Sequence, residues 1–182
     1  VEVDYTDQAT QTAYMLRYLP GYWEQIYTAL IEILTKSQWP KYSDTQGFMT
    51  HGLDPSLKEL LDPVLKKEEP IEDFNIALFC CGPAPEVIGI VRFFEKYEQI
   101  KNLYKNINIH LFDLKINSWK FARDTFVLNK TAMEKLSLLN FKFTEHAFDL
   151  TNPSLDFELD LAFDKQFFHI CHFKNCLNEI FH

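Results

Sequence analysis

The chain has 182 residues, 47% apolar and 15% aromatic, with only five glycines and a net charge of −8. That is enough apolar surface for one core and one domain, and the composition fits a packed globule in preference to a disordered tail. The acidic balance argues against a surface that grips nucleic acid over its whole extent.

No stretch approaches 18 consecutive apolar residues, and no charged, apolar and small-residue leader opens the chain. The expected location is therefore intracellular and soluble, in the cytoplasm. A chain opening on Val1 reads as a processed or shortened product. Charge is uneven: residues 101–142 hold eight Lys/Arg against three Asp/Glu. This local +5 is either a solvated helical face or a positive rim for a phosphate-bearing substrate.

Taken in order, residues 1–10 are polar and expected to fray. From Gln11 to Lys36 the apolar residues recur at helical spacing, and Pro20-Gly21 interrupts them. Two helices are expected, the second from Tyr22 to Lys36 with a stripe through Tyr22, Ile26, Leu30 and Leu34. The tyrosines read as packing in preference to a base-stacking platform. Residues 37–56 form a polar connection. Asp54-Pro55 then has the form of a helix start leading into Leu57 to Lys67. These elements make residues 1–70 a helical lead-in, and residues 71–182 a sheet-forming unit.

The sheet begins at Ile76 to Cys81, a short apolar run without polar alternation, which reads as a strand buried on both faces. Gly82-Pro83-Ala84-Pro85 is a tight turn: Gly82 permits close backbone approach to a ligand, and Pro85 suits the first turn of a helix. Glu86 to Tyr104 reads as that helix. Asn106 to Leu114 is a second strand, Ser118 to Leu136 a helix capped by Ser118, Asn140 to Leu150 a third strand and Phe167 to Phe173 a fourth. Leu155 to Gln166 has no assigned state.

Strand and helix alternate, so the expected fold class is α/β: a Rossmann-like, mostly parallel sheet with helices on both faces, preceded by the helical segment. In such a sheet neighbouring strand ends lie side by side, and ligands bind outside their carboxyl ends. Gly82 and Asp113, 31 positions apart, would then border one crevice. That spacing exceeds the roughly 20 of a dinucleotide fingerprint. Asp113 there is either a ribose-binding carboxylate or a turn cap.

Four cysteines, Cys80, Cys81, Cys171 and Cys176, lack C-x-x-C spacing and are expected as reduced thiols. Strands one and four as neighbours would gather them near His169 and His172. Cys80 and Cys81, being adjacent, point to opposite faces of a strand, and no metal site is expected.

The order of Gly82-Pro83-Ala84-Pro85-Glu86 after one strand, Asp113 ending the next, Asp149 ending the third and FKNCLNEI after the fourth resembles class I S-adenosylmethionine-dependent methyltransferases. The lead-in AYMLRYLPGYWEQIYTALIEIL is similar to that of the ribosomal small-subunit methyltransferase-like branch. The resemblance spans roughly residues 9–182 and implies S-adenosylmethionine as cofactor.

By the same resemblance, Cys81, Gly82, Pro83 and Ala84 would lie against its methionine part and Asp113 would hold the ribose. Leu114 or Trp119 would border the adenine, Asp149 with Phe148 would take its amino group, and Asn175 would face the sulfonium. The methyl acceptor is open among RNA, protein and small molecule. No general base is assigned; Glu145, Asp149 and His172 are the available groups.

The chain departs from the family pattern in three ways. Cys80 replaces a usual acidic residue, Ala84 replaces a second glycine, and the sequence ends before a fifth strand. The last departure would leave the fourth strand as an edge for a partner or a second copy to cover. A non-catalytic interaction module on the same fold is the alternative expectation.

Overall fold

The computed structural model describes residues 4–36, 73–102, 104–149 and 168–173. The expected connection at residues 37–56, the helix from Leu57 to Lys67, the segment Leu155 to Gln166, Phe167, Asn175 and Cys176 lie outside the described residues.

Four strands form one sheet: β1 (Phe74–Phe79), β2 (Ile107–Asp113), β3 (Phe141–Ala147) and β4 (Ile170–Phe173). Their spatial order is β3-β2-β1-β4, and every neighbouring pair runs parallel. This is the α/β, Rossmann-like arrangement that the alternation implied. The strand order reverses between β2 and β4 about β1, so the carboxyl end of β1 is the switch point.

Strand β1 starts and ends two residues earlier than the apolar run suggested, at Phe74 and Phe79. Cys80 cannot continue it, because its φ of 51° turns the chain out of the extended region. With Cys80 out of the strand, the expected opposition of the two cysteines across a strand does not arise.

Helix α1 (Gln8–Lys36) is continuous, where two helices were expected. Pro20 removes one backbone hydrogen bond from it. Both Pro20 and Gly21 face solvent, however, and the helix is anchored on either side of them by buried Gln11, Met15, Ile26 and Leu30. Packing at both ends outweighs the local cost of the break. Helix α1 begins at Gln8, within the segment expected to fray, and Asp7 Oδ2 accepts from the Thr10 N–H at 2.7 Å in its first turn.

Helix α2 (Glu86–Lys96) starts where the turn predicts and stops at Tyr97, whose φ of −111° and ψ of 60° leave the helical region. The single-turn helix α3 (Glu98–Lys101) follows, so the expected helix to Tyr104 is two pieces. The expected helix from Ser118 is also divided. It comprises a short α4 (Lys120–Ala122), a π-helical turn (Arg123–Val127) and α5 (Lys130–Leu138). The Leu128 N–H reaches the Arg123 carbonyl at 2.7 Å, five residues back, and closes the wide turn. The cap of α5 is Asn129, not Ser118: its side chain accepts from the Ala132 N–H at 3.0 Å.

Side chains alternate across the sheet. One face carries Phe74, Ile76, Leu78, Ile107, Ile109, Leu111 and Phe141 into the main core, under α1 and α2. The two helices meet at Gly89, where a β-carbon would collide with the Trp23 carbonyl oxygen and lie 2.5 Å from Ile26 Cγ2. Arg92 lies over the Trp23 ring at 4.2 Å beside this crossing. The lead-in helix is thus a covering layer of the sheet.

The other face carries a ladder of rings in register. Phe173, Phe79, Phe112 and His146 stack in succession with centroid separations of 4.5, 4.8 and 4.4 Å. It crosses all four strands at their carboxyl ends.

Gly89→Ala is expected to lower stability by about 3 kcal/mol or more, since its neighbour is backbone and cannot step aside. Gly21, with nothing within 4 Å of a β-carbon, is the control. Gly21→Ala should raise stability by about 0.5–1 kcal/mol through helix propensity. Urea unfolding of both variants checks the pair.

Candidate functional site

The strand ends that the sequence placed side by side do meet. The Gly82 N–H donates to Asp113 Oδ2 at 2.8 Å, and the Lys115 N–H donates to Asp113 Oδ1 at 2.8 Å. One carboxylate therefore joins the turn after β1 to the turn after β2. A carboxylate has about four acceptor positions, so two remain after these bonds. Asp113 is half-buried, at the boundary of core and surface.

The turn itself is held in unusual backbone. Cys80, Gly82 and Ala84 have φ of 51°, 54° and 57°, and only one of the three is glycine. Left-handed conformation in a residue with a β-carbon is disfavoured and persists only where the surroundings enforce it. Here the Ala84 N–H bonds the Cys81 carbonyl at 2.8 Å and the Val87 N–H bonds the Ala84 carbonyl at 3.1 Å. All residues from Cys81 to Val87 are buried, Pro83 included. Glu86 is buried in the first turn of α2, near Tyr14 of α1. Burial, with the neighbouring Tyr22 and the Glu86 charge, pushes the Tyr14 phenol well above its ordinary range.

Trp119 covers the turn. Its indole lies 3.4 Å from where a Gly82 β-carbon would be, through Cε2, and 3.5 Å through Nε1. The rings of Tyr5 and Tyr14 back it at 4.7 and 4.9 Å. Gln11, fully buried on α1, fixes the segment that carries it. Its Nε2 donates to the carbonyls of Tyr5 and Ser118 at 2.7 and 2.6 Å, and its Oε1 accepts from the Ala122 N–H at 2.8 Å. Arg123, also fully buried, donates to the Ile116 carbonyl at 3.1 Å and pairs with Glu145 of β3 at 2.7 Å.

Neither Gln11 nor Arg123 was picked out from the sequence. A buried amide and guanidinium are invisible to hydropathy patterning, because polar residues are by default assigned to the surface.

The remaining sequence-derived positions distribute around the same lip. Phe148 is buried against Phe79 and Phe112, and its N–H donates to the Asp113 carbonyl at 3.2 Å. Asp149 follows it, half-buried. Leu114 stands out, 61% exposed. Among the groups considered as a base, Glu145 is engaged by Arg123 and His172 lies on β4 level with Leu78 of β1.

Of the basic segment, Lys115 stands at this lip, beside Asp113, and several of the other cations are engaged elsewhere. Lys105 and Lys142 act on Asp73, at the opposite end of the strands, Lys135 pairs with Glu95, and Lys120 pairs with Asp124. Cys171 sits level with Ala77, and burial raises its thiol above the ordinary value. Among the described residues no three His, Cys, Asp or Glu side chains come together as a metal would need. Among them, too, no helix is long and apolar enough to cross a membrane.

Behind the lip, on the ladder face, His110 Nδ1 and His146 Nε2 approach to 3.3 Å, one ring donating and the other accepting. Burial first, and the neighbouring His146 second, push His110 down to about 4, and burial lowers His146. Asn75 N–H donates to His169 Nδ1 at 2.9 Å, and burial lowers that ring also.

No family model, no curated protein and no solved structure matches this chain.

The depressed histidines set an acid response. Above the ordinary value of 6.5 the His110 imidazole is neutral in both folded and unfolded chains. As pH falls from there, the unfolded chain takes up the proton first, so stability drops until the folded ring titrates near 4. The lowered carboxylates Asp4, Asp7 and Asp73 keep their contribution down to about their ordinary 3.8, outside this window. The thermal midpoint is expected to fall between pH 6.5 and 4, and His110→Phe to flatten that slope. An equal slope in the variant would assign the response elsewhere.

Proposed function

We propose that this chain binds S-adenosylmethionine at the lip formed by the Gly82 turn and Asp113, and serves methyl transfer. The observation that carries the reading is the 2.8 Å bond from the Gly82 N–H to Asp113, which brings a left-handed backbone turn and a carboxylate to one strand-end crevice. The order β3-β2-β1-β4 supports it, because the switch point falls at that crevice.

In this reading the two acceptor positions left on Asp113 take the ribose hydroxyls, and the Cys81 to Ala84 backbone lies along the methionine part. Phe148 and Asp149, following β3 at the same lip, border the adenine. When bound, the cofactor supplies an activated methyl group on a sulfonium. The chain's own task is to align the acceptor and exclude water. The burial of the turn, from Cys81 to Val87, suits that exclusion.

A second reading is favoured by one specific feature. Trp119 already occupies the space against Gly82, and Asp113 already satisfies two backbone amides. A site filled by its own side chains is what a non-catalytic interaction module on this fold would have.

Calorimetric titration with S-adenosylmethionine and S-adenosylhomocysteine separates the two. Micromolar binding that weakens at least about tenfold in Asp113→Ala, the loss of hydrogen bonds to a charged acceptor, is the expected result. Absence of binding to the intact chain would favour the module.

A further inference from the structure

We propose that Trp119 is a gate over the Gly82 turn, latched by Gln11, and that a ligand reaches the turn when the segment from Asn117 to Phe121 swings away from α1. The proposal rests on the ligand-binding reading above and adds how access to that lip is controlled.

The indole faces Gly82, 3.4 Å from the position a β-carbon on it would take. Anything that lies along this backbone must take its place. The wall on which Trp119 stands is not a long helix. It is a run of turns between the end of β2 and the three-residue α4, opening on Leu114, which is 61% exposed. Short turns outside a hydrogen-bonded ladder move at lower cost than the strands and long helices around them.

Ile116, Trp119 and Ala122 pack the run into the main core, and its polar link to α1 is one side chain. Gln11 uses both amide hydrogens and its carbonyl oxygen, at 2.6–2.8 Å, to bind Tyr5, Ser118 and Ala122. Two of its three partners, Ser118 and Ala122, lie on either side of Trp119. Tyr5 and Tyr14 close on the indole from α1 and from the segment before it. Releasing Gln11 removes the polar links on both sides of Trp119 at once, and this is the step from the latched to the open state in the proposal. Arg123, bonded to the Ile116 carbonyl and to Glu145 of β3, fastens the Ile116 end as the pivot of the run.

A site that opens for a fraction of the time shows an apparent dissociation constant raised by the inverse of that fraction. Removing the gate must then tighten binding, the reverse of what deleting a wall of the pocket does.

The probe is S-adenosylhomocysteine, titrated calorimetrically and by stopped flow into the full chain and into Trp119→Ala, with circular dichroism to verify folding. At least tenfold tighter binding by Trp119→Ala is expected. Gln11→Ala, which keeps the indole, is expected to raise the association rate at least threefold and guards against failure of the first variant to fold. Equal or weaker binding by a folded Trp119→Ala, with the parent binding, would make the indole a pocket wall: the gate falls and the ligand reading stands. An unchanged association rate in Gln11→Ala would remove the latch. If neither the parent nor either variant binds, the ligand reading and the gate fall together.

Discussion

The hydrogen bond from the Gly82 N–H to the Asp113 carboxylate is the constraint on which the arrangement of the lip depends. It spans 31 positions of sequence and fastens two turns that belong to neighbouring parallel strands. It acts together with the backbone bonds of Ala84 and Val87 on a turn whose Cys80, Gly82 and Ala84 are in left-handed backbone. With it, the turn is fixed at the height of the β2 end, where Lys115 and Phe148 also join Asp113 through their main chains. A single residue thus connects the turns after β1 and β2 to the exit of β3. Hydrogen bonds to an ionised acceptor are about twice as strong as neutral ones, which suits this carboxylate to the role.

The layer above the lip has a different physical origin. Helix α1 is positioned by close contact at Gly89, where its backbone approaches α2 too tightly for any β-carbon. That contact sets where Gln11, Met15 and Tyr14 fall along the sheet, and so where the latch on Trp119 can form. The cores on the two faces differ accordingly. One is a thick mixture of aliphatic and aromatic side chains under two helices, and the other is a ladder of stacked rings that ends at Phe173, 56% exposed on the edge strand β4.

Much of this fold is legible in the sequence. Four strand-like runs, the first three separated by helical patterns, imply the parallel sheet, and Gly82 and Asp113 are identifiable because each stands at the end of a run that reads as a strand. The failures have physical causes. Pro20-Gly21 reads as a break only if local preference decides, whereas tertiary packing on both sides of it decides here. The helix expected from Ser118 is divided because Arg123 turns inward to Ile116 and Glu145, contacts made across 7 and 22 positions that periodicity cannot register. Gln11 is hidden for the same reason, with partners at Ser118 and Ala122. The ring ladder was partly visible, as an aromatic or histidine near the end of each strand. Its stacking depends on register, which the sequence does not state.

The most direct measurement of the central claim is the amide spectrum of the isotopically labelled chain. The Gly82 amide proton should resonate well downfield, as expected of a hydrogen bond to a carboxylate, and should move upfield in Asp113→Asn. On addition of S-adenosylhomocysteine the amides of Gly82, Ala84, Leu114 and Lys115 should shift first and furthest. A Gly82 amide insensitive to Asp113, or shifts confined to residues remote from this lip, would contradict the account.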